Sequence, residues 1–361
     1  FVMKVCIIGD GLVCLTLAKV LIQKEFSVDI LSNRKNNRID KTRTLGISKS
    51  NIDYFNKKIM NIEKILWEIK KIKIYTEKSS NQEILNFSNY NKQVFSIIKN
   101  YELQKILIDN LKKNKFIKFR NNNYKSIDKE KYKLIINCDT QNQITKKFFS
   151  NKIEKDYNSY AYVTTISHKK VSENNIAFQN FTNKGPIAFL PISNTETSVV
   201  FSIRTRNYKD NFDINNLIRK YNPRYSINKI NPCARFKLKS SILRKYYTNN
   251  ILAFGDLLHK IHPLAGQGFN MSLRDIKLLS KLIDEKINIG LDIDSSICHK
   301  FQKESQDKNY VFFAGIDWIY ELFYFESKFN SNLISKSINF IGKNSFINSF
   351  FKKFADKGLR I

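Results

Sequence analysis

The passage from residue 255 to residue 270 constrains the fold of this chain most strongly. It places a carboxylate, two imidazoles, a proline and glycines directly after an apolar run at 251–254, which is typical of a buried strand. In an open α/β sheet, ligands bind beyond the carboxyl ends of the strands, where Asp256 could accept hydrogen bonds from sugar or ribityl hydroxyls. We therefore interpret the passage as a cofactor site that Asp256 contacts.

The second half of this passage predicts the start of a helix. Gly266 and Gly268 lack side-chain bulk, so backbone N–H groups there can approach a ligand closely, and residues 270–279 have the pattern of a helix. The first turn of a helix offers unpaired N–H donors and partial positive charge. An anionic group of the cofactor is expected there.

Two other interpretations fit part of the passage. Asp256, His259 and His262 are spaced three residues apart, as metal ligands on one helical face would be. However, Pro263 disfavours helical geometry at His262, and no further His or Cys cluster lies nearby. A purely structural turn would explain the glycines and Pro263, but not the acidic, imidazole and amide side chains together. We therefore predict no metal site.

The beginning of the chain predicts a βαβ dinucleotide unit. An apolar strand at 4–8 leads into Gly9 and Gly11, a helix follows, and a second strand covers 27–31. Gly9 would make the tight turn, and Gly11 would admit a pyrophosphate to the helix N-terminus. Cys14 replaces the third glycine of the usual fingerprint, and Ser32 stands where an acid would hold the ribose. Together with the passage at 255–270, this unit predicts one extended dinucleotide bound by two distant segments.

These segments resemble the FAD-dependent aromatic hydroxylases of ubiquinone biosynthesis, which belong with the p-hydroxybenzoate-hydroxylase-like flavoprotein monooxygenases. Residues 255–275 are similar to the second flavin motif of that family. Residues 177–191 are similar to its signature of Phe-Thr, Gly-Pro and Leu-Pro pairs. Weaker likenesses at 40–48 and 100–107 imply that Arg43 and Gln104 contact the cofactor.

The third motif of the family is eroded in this chain. The family pattern is Gly-Ala-Asp-Gly followed by Ser and Arg, whereas this sequence has Asn137, Cys138, Asp139 and Thr140. Only Asp139 remains. The erosion leaves a second function open, that of a catalytically idle FAD-binding member supporting a ubiquinone-biosynthesis assembly.

The resemblance implies an α/β fold with a Rossmann-like FAD-binding domain, an inserted mixed-sheet substrate domain and a C-terminal helical tail. The expected parts are 1–155 with 245–295 for FAD, 156–244 for the substrate sheet and 296–361 for the helical region. The implied enzyme is an FAD-dependent monooxygenase that uses O₂ and a flavin C4a-hydroperoxide to hydroxylate the aromatic ring of a polyprenylated phenol. Its reductant, NAD(P)H or ferredoxin, stays open.

The resemblance also implies roles for individual residues. The flavin-ring environment would comprise Pro263, Gly266, Gln267 and Gly268, and the amides of the last three would stabilise negative charge at the pyrimidine edge. Leu190 and Pro191 would line the substrate pocket. His259 or His262 would either serve in catalysis or shape the loop, and shaping is favoured because oxygen transfer to a phenol requires no histidine. The expected cofactor-binding residues are Gly9, Gly11, Ser32, Arg43, Gln104, Asp139, Asp256, Gly266, Gly268 and Asn270.

The charge of the chain suggests further partners. It carries 62 Lys and Arg against 32 Asp and Glu, a net charge of +30 that favours nucleic acid, anionic lipid or an acidic protein. We predict no nucleic-acid partner, because no zinc-finger spacing, aromatic RNA-binding run or recognition helix accompanies the charge. Basic, apolar segments at 333–341 and 346–354 are typical either of helices on a membrane surface or of faces packed on the domain. Other ubiquinone-biosynthesis proteins are further expected partners.

The sequence also bears on location. The most apolar run, 310–325, carries Asp317 and Glu321 and is too short to cross a membrane. Five cysteines without paired close spacing indicate neither a disulfide framework nor a zinc ribbon. We therefore expect a cytoplasmic protein, with peripheral attachment at the inner face of the membrane as the role of the basic segments.

Overall fold

The elements of the chain are taken from a computed structural model. It describes residues 3–32, 41–77, 83–88, 93–121, 130–205, 212–263 and 266–329, with the backbone alone for 83–88 and 322–329. The helices are α1 (Leu12–Ile22), α2 (Lys49–Lys58), α3 (Asn100–Lys112), α4 (Gln143–Phe148), α5 (Ile214–Lys220), α6 (Gln267–Asn288) and α7 (Ser296–Phe329). The strands are β1 (Lys4–Ile8), β2 (Ser27–Ser32), β3 (Thr44–Ser48), β4 (Trp67–Ile69), β5 (Lys71–Thr76), β6 (Glu83–Ser88), β7 (Phe95–Lys99), β8 (Ile117–Asn121), β9 (Leu134–Asn137), β10 (Lys152–His168), β11 (Ile176–Thr182), β12 (Gly185–Pro191), β13 (Glu196–Arg204), β14 (Ile227–Ile230), β15 (Ala234–Leu243), β16 (Tyr247–Thr248), β17 (Ile251–Ala253) and β18 (His259–Lys260).

A six-stranded sheet with the order β16-β17-β9-β1-β2-β8 forms the first layer. Its strands pair in parallel, except for β16. The four residues of β9 are completely buried, as expected for a strand that helices cover on both faces. Because β1, β9 and β17 are neighbours and parallel, the residues that follow them emerge at the same edge. The two predicted cofactor segments therefore start side by side.

A second, nine-stranded sheet carries the middle of the chain. Its order is β18-β15-β10-β13-β12-β11-β5-β6, with β14 also paired to β10. Most pairs are antiparallel, but β11 and β5 are parallel, so the sheet is mixed as the sequence predicts. On one face, α5 covers an apolar cluster that includes Tyr162, Phe189 and Phe201.

The second sheet extends beyond the predicted substrate domain. Strands β5 and β6 come from the part of the chain that was assigned to FAD binding, yet β5 pairs with β11 from Ile176↔Lys71 to Phe181↔Thr76. This pairing covers an edge of the sheet that would otherwise be open. Such pairing between distant segments has no local pattern in the sequence.

A small sheet, β3-β7-β4, joins the two larger ones. Ile69 of β4 and Ile97 of β7 are buried against Ala177 and Ile192 of the second sheet. At the other end of β7, Asn100 N–H donates to the Arg43 carbonyl over 3.0 Å. The small sheet therefore fixes the distance between the segment around Arg43 and the substrate sheet.

The predicted C-terminal helical region begins with α7, a helix of 34 residues. Phe312, Phe313 and Ile316 of this helix pack against Phe181 and Ile242 of the second sheet. The predicted amphipathic segments at 333–341 and 346–354 lie outside the described residues. Among the helices described here, none has a stretch that is both long and apolar enough to cross a membrane. The predicted architecture, an α/β domain with a mixed substrate sheet and a C-terminal helix, is confirmed.

Candidate cofactor site

The turn after β1 has a geometry that requires glycine. Gly9 has φ of +118°, and its N–H donates to the Leu31 carbonyl over 2.8 Å. A Cβ at Gly9 would lie 3.0 Å from Cys14 Sγ and 3.5 Å from Cys138 Cβ. Both the backbone angle and the crowding exclude a side chain, as the fingerprint predicts for its first glycine.

The N-terminus of α1 forms an open cradle. Gly11 is its N-cap, and a Cβ built there would meet no atom within 4 Å. As a glycine, this N-cap has no side chain to cap the first turn of the helix. Free donors, a helix dipole and open space together fit a phosphate group, so this end of the site is compatible with the pyrophosphate of a dinucleotide.

Ser32 and Gln104 both approach this turn. The Ser32 hydroxyl donates to Asp10 Oδ2 over 2.5 Å, and Gln104 Nε2 donates to the Asp10 carbonyl over 3.5 Å. The Asp10 carboxylate therefore lies beside the end of β2, where Ser32 stands in place of the acid that is usual in this fingerprint. The sequence prediction missed Asp10 because it stands in the variable position between the two glycines.

The eroded motif after β9 is stabilised by a local hydrogen-bond network. Asn142 Nδ2 and the Asp139 N–H donate to Asn137 Oδ1, and the Thr145 N–H donates to Asn142 Oδ1. The Asp139 carboxylate accepts the Gln141 N–H over 2.8 Å, so this predicted cofactor residue caps its own turn. Amide and hydroxyl side chains thus define this loop in place of the missing glycines.

The passage that follows β17 lies directly on α1. Gly255 has φ of +60°, and a Cβ there would come within 3.3 Å of Val13 Cγ1. Asp256 is exposed in the next turn. The pKa of the Cys138 thiol is raised by its hydrogen bond with Cys14 and by burial, and further by the charge of Asp256. Asp256 therefore shares one edge of the sheet with the Gly9 turn, so the two predicted segments meet.

The N-terminus of α6 forms the other end of the site. Its N-cap, Gly266, is left-handed with φ of +63°, and its N–H donates to the Pro263 carbonyl over 3.1 Å. A Cβ at Gly266 would lie 3.3 Å from the Gly46 nitrogen. Gln267 Oε1 is buried and has no hydrogen-bond partner among the described residues. A buried acceptor beside free helix N–H groups fits a ligand edge that has both N–H and C=O groups, as a flavin pyrimidine ring has.

Asn270 was predicted to contact the cofactor, but the structure gives its side chain another role. Asn270 Nδ2 donates to the carbonyls of Gly46 and Gly266, and Oδ1 accepts from the Ser48 N–H and from Asn51 Nδ2. The two donors and two acceptor sites of the amide are all used within the protein. Asn270 therefore ties the start of α6 to β3 and α2 and has no side-chain group left for a ligand.

His259 is buried and begins a series of hydrogen-bonded side chains that reaches α7. His259 Nε2 is hydrogen-bonded to Asp275 Oδ2, and Asn309 Nδ2 donates to Asp275 Oδ1 over 3.1 Å. His259 is only 2% exposed, so its imidazole lies inside the protein. The loop-shaping interpretation is therefore favoured over catalysis. Asp275 lies within the helix that the sequence predicts at 270–279 and could have been found, whereas Asn309 has no sequence signal.

Three predicted residues lie where the substrate sheet meets the rest of the molecule. The exposed Arg43 guanidinium lies 5.6 Å from the centroid of the Phe236 ring on β15. Leu190 packs on the cluster of Ile69 and Ile97, and Pro191 is buried next to it. The cofactor contact of Arg43 and the pocket role of Leu190 and Pro191 stay predictions.

The three residues considered as metal ligands do not converge. Asp256 is exposed, His259 is bonded to Asp275, and the His262 ring packs between those of Tyr157 and Tyr320. Within the ranges that the structure describes, no group of three or more His, Cys, Asp or Glu residues is arranged to hold a metal ion.

The chain is similar to proteins of known family. Residues 133–290 match the family model of the FAD binding domain. The mitochondrial ubiquinone biosynthesis monooxygenase COQ6 of Danio rerio is 26% identical over 234 residues, covering 53% of this chain and 48% of the relative. The human protein of the same name is also 26% identical, with 53% and 50% covered. The chain thus spans about half the length of the curated relatives it matches.

Solved structures share the fold across the whole chain. The p-nitrophenol 4-monooxygenase from Pseudomonas putida aligns with a TM-score of 0.78 at 11% identity, covering 100% of this chain and 99% of its own. The protein HpxO of Klebsiella pneumoniae, solved with FAD and uric acid, aligns with a TM-score of 0.74 at 12% identity, covering 99% and 97%. The predicted resemblance, fold class and cofactor, FAD, are confirmed by these matches together.

Proposed function

We propose that this chain is an FAD-dependent monooxygenase that hydroxylates the aromatic ring of a polyprenylated phenol in ubiquinone biosynthesis. The observation that carries this proposal is the meeting of two distant segments at one sheet edge, where Gly255 lies against Val13 of α1. Two open helix N-termini, those of α1 and α6, then bound one elongated site beside the substrate sheet. The names of the curated relatives support the substrate class.

The residues of this chain fit the successive parts of FAD. The N-terminus of α1 would hold the pyrophosphate, and Asp256 would accept hydrogen bonds from the ribityl hydroxyls. At the other end, the amides of Gln267 and Gly268 and the dipole of α6 would stabilise negative charge on the pyrimidine edge, whereas the Gly266 N–H is used within the turn. Gln267 Oε1 would accept a ring N–H. When bound, FAD supplies the activation of O₂ and the transfer of one oxygen atom.

The face of the substrate sheet opposite α5 fits an uncharged ring with an apolar tail. Ala161, Val163 and Leu238 form a cluster there, with Val200 packed against it. Phe236, two residues before Leu238 on the same face, is 37% exposed, as a residue at the rim of an apolar pocket would be. An apolar wall would orient the ring and exclude water.

Neither buried histidine of the passage is suited to proton transfer with a substrate. His259 is bonded to Asp275. The pKa of His262 is lowered to about 3 by burial and by the charge of Lys155, so its imidazole is neutral at physiological pH. The contribution of the chain is therefore to bind, orient and desolvate the reactants rather than to supply a histidine acid or base.

We propose a peripheral position for the protein on the cytoplasmic side of a membrane. A polyprenylated phenol resides in lipid, and a net charge of +30 favours an anionic surface. Other proteins of ubiquinone biosynthesis are proposed as partners at that surface. The reductant is NAD(P)H or ferredoxin, and the experiment below distinguishes these donors.

The test uses the purified full chain. Its FAD content is measured first, and a short-tailed prenylphenol is then supplied under ¹⁸O₂ with NADH, NADPH or reduced ferredoxin. Incorporation of one ¹⁸O atom into the ring, detected by mass spectrometry, supports the proposal, and Asp256→Ala should lose both the bound flavin and the label. A protein that retains FAD but yields no labelled product with any donor would instead be the idle family member.

A further inference from the structure

A buried cluster of three rings lies immediately before the turn assigned to the flavin ring. The His262 ring centroid is 4.3 Å from that of Tyr320 and 4.8 Å from that of Tyr157, and the two tyrosine rings are 5.0 Å apart. All three residues are at most 3% exposed. Each ring therefore packs on both of the others, and no ring can move alone. We call this set the ring cluster.

The two tyrosines of the ring cluster are held from outside by hydrogen bonds. The Tyr157 hydroxyl is bonded to Asp317 and, over 3.0 Å, to Ser240 Oγ. The Tyr320 hydroxyl lies 3.1 Å from Ser159 Oγ. These bonds fix the tyrosine rings to β10, β15 and α7. Since rings with bonded hydroxyls have few rotamers left, the tyrosines provide a rigid seat for the imidazole.

An ion pair adds a further link between β10 and α7. Lys155 Nζ lies 2.8 Å from Asp317 Oδ2 and 3.1 Å from Glu321 Oε1. Both acids belong to α7 and flank Tyr320 in the sequence. The position of Tyr320 is therefore set by this helix together with the substrate sheet.

His262 connects Tyr320 with the turn from Pro263 to Gly266, which we call the cofactor turn. His262 immediately precedes Pro263, whose carbonyl accepts the Gly266 N–H over 3.1 Å, and Gly266 begins α6. A displacement of His262 would move one end of this short turn while Asn270 keeps the other end tied to Gly46. The start of α6 is therefore held through Pro263 on one side and through Gly46 on the other.

We propose that Tyr320 is a positioning residue for the cofactor turn and acts through His262. Nothing in the local sequence of α7 connects this helix with the flavin. The inference rests on the proposed function only in that the turn faces FAD. It makes α7 part of the support of the site, although this helix lies outside the matched FAD binding domain at 133–290.

The experiment compares Tyr320→Leu, Tyr320→Phe and His262→Leu in the full chain. The matched control is Trp318→Leu on the same helix, where the side chain is 71% exposed. The dissociation constant of FAD is measured by titrating apoprotein, and the absorption and fluorescence of the bound flavin are recorded. Apoprotein melting temperatures report stability separately.

We expect Tyr320→Leu to weaken FAD binding roughly tenfold and to change the flavin spectrum, since an aromatic pair at the turn is lost. Tyr320→Phe keeps the ring and should restore both values, and Trp318→Leu should match the wild type. If Tyr320 acts through His262, the double variant with His262→Leu should bind FAD no more weakly than His262→Leu alone. His262→Leu should by itself reproduce the loss, and it keeps the inference testable if Tyr320→Leu does not fold.

One outcome would overturn the inference. A lower melting temperature for Tyr320→Leu, with FAD affinity and spectrum as in the wild type, would show a structural role only and overturn the inference. In that case the wild type would still bind FAD and the proposed function would stand. A wild-type protein that binds no FAD would overturn both.

Discussion

At the scale of single residues, the site depends on positions where only one residue type fits. Gly9 and Gly255 combine positive φ with a neighbour within 3.3 Å of a would-be Cβ, so each permits a backbone contact that a side chain would block. Other residues have roles that differ from those their residue types suggest. Asn270 and His259 have the chemistry of ligands, yet their side chains make hydrogen bonds within the protein.

His262 gives a residue-scale prediction about pH. Its pKa is lowered to about 3 by burial and by Lys155, whereas an unfolded histidine titrates near 6.5. Because the folded pKa is the lower one, the stability from the neutral imidazole is complete above pH 6.5 and is lost as pH falls toward 3. One such group changes the free energy of unfolding by up to about 1.4 kcal/mol per pH unit. Denaturant titrations between pH 7 and pH 4 measure this slope.

The control for this prediction is His262→Phe, which keeps an aromatic ring in the cluster but cannot be protonated. The groups around the imidazole are Tyr157, Lys155, Tyr320, Asp317 and Glu321, and they are unchanged in this variant. The variant should therefore be less pH-dependent than the wild type over this range. Equal slopes for the two proteins would assign the acid sensitivity to other groups.

At the scale of elements, α6 connects the cofactor turn to the rest of the molecule. Its first turn is tied to β3 and α2 by Asn270, and its middle is tied to β18 and α7 by Asp275. Both ties are made by buried polar side chains. The helix therefore holds the cofactor turn in one place relative to four neighbouring elements.

Asn270→Leu tests the first of these ties. The substitution removes the hydrogen-bond partner of three buried groups, namely the Ser48 N–H, the Gly46 carbonyl and the Asn51 amide. Leaving these groups unpaired should lower the free energy of unfolding by about 2–3 kcal/mol. Equilibrium denaturation measures the loss, and FAD titration should show weaker binding because the turn loses its tie to β3. The control is Asn288→Leu at the exposed end of the same helix, which should change neither value. Wild-type stability for Asn270→Leu would show that these hydrogen bonds contribute little.

At the scale of the whole molecule, the net charge of +30 is the feature that the fold does not explain. The proposed FAD site uses only two helix N-termini for the anionic groups of the cofactor. Many of the described lysines are paired at the surface, as Lys237 is with Asp156 and Lys300 with Glu285. Such exposed pairs add little stability. These pairs therefore do not account for the excess of basic residues, and an anionic partner is the proposed reason for it.

Deletion of residues 331–361 tests whether that partner is a lipid surface. The segment contains six basic residues and one acidic residue, so the deletion lowers the net charge from +30 to +25 and removes both amphipathic stretches. Flotation with vesicles of anionic lipid should decrease clearly, since each basic residue near such a surface contributes about 1 kcal/mol. FAD content is the control for folding and should be unchanged. Undiminished flotation of the shortened protein would reject a lipid role for this segment.

The sequence alone determined the local parts of the site. Glycines at a strand–helix junction and an acid at the end of a strand predict a cofactor site at that edge of the sheet. They can do so because backbone freedom and strand direction are properties of short segments. Tertiary structure decided which side chains face the ligand and which hold the fold. Asp10 beside Ser32, Asn309 beside Asp275, β5 beside β11 and Tyr320 beside His262 are contacts between segments distant in the chain. Their energies arise only when packing brings the segments together, so no pattern within one segment encodes them.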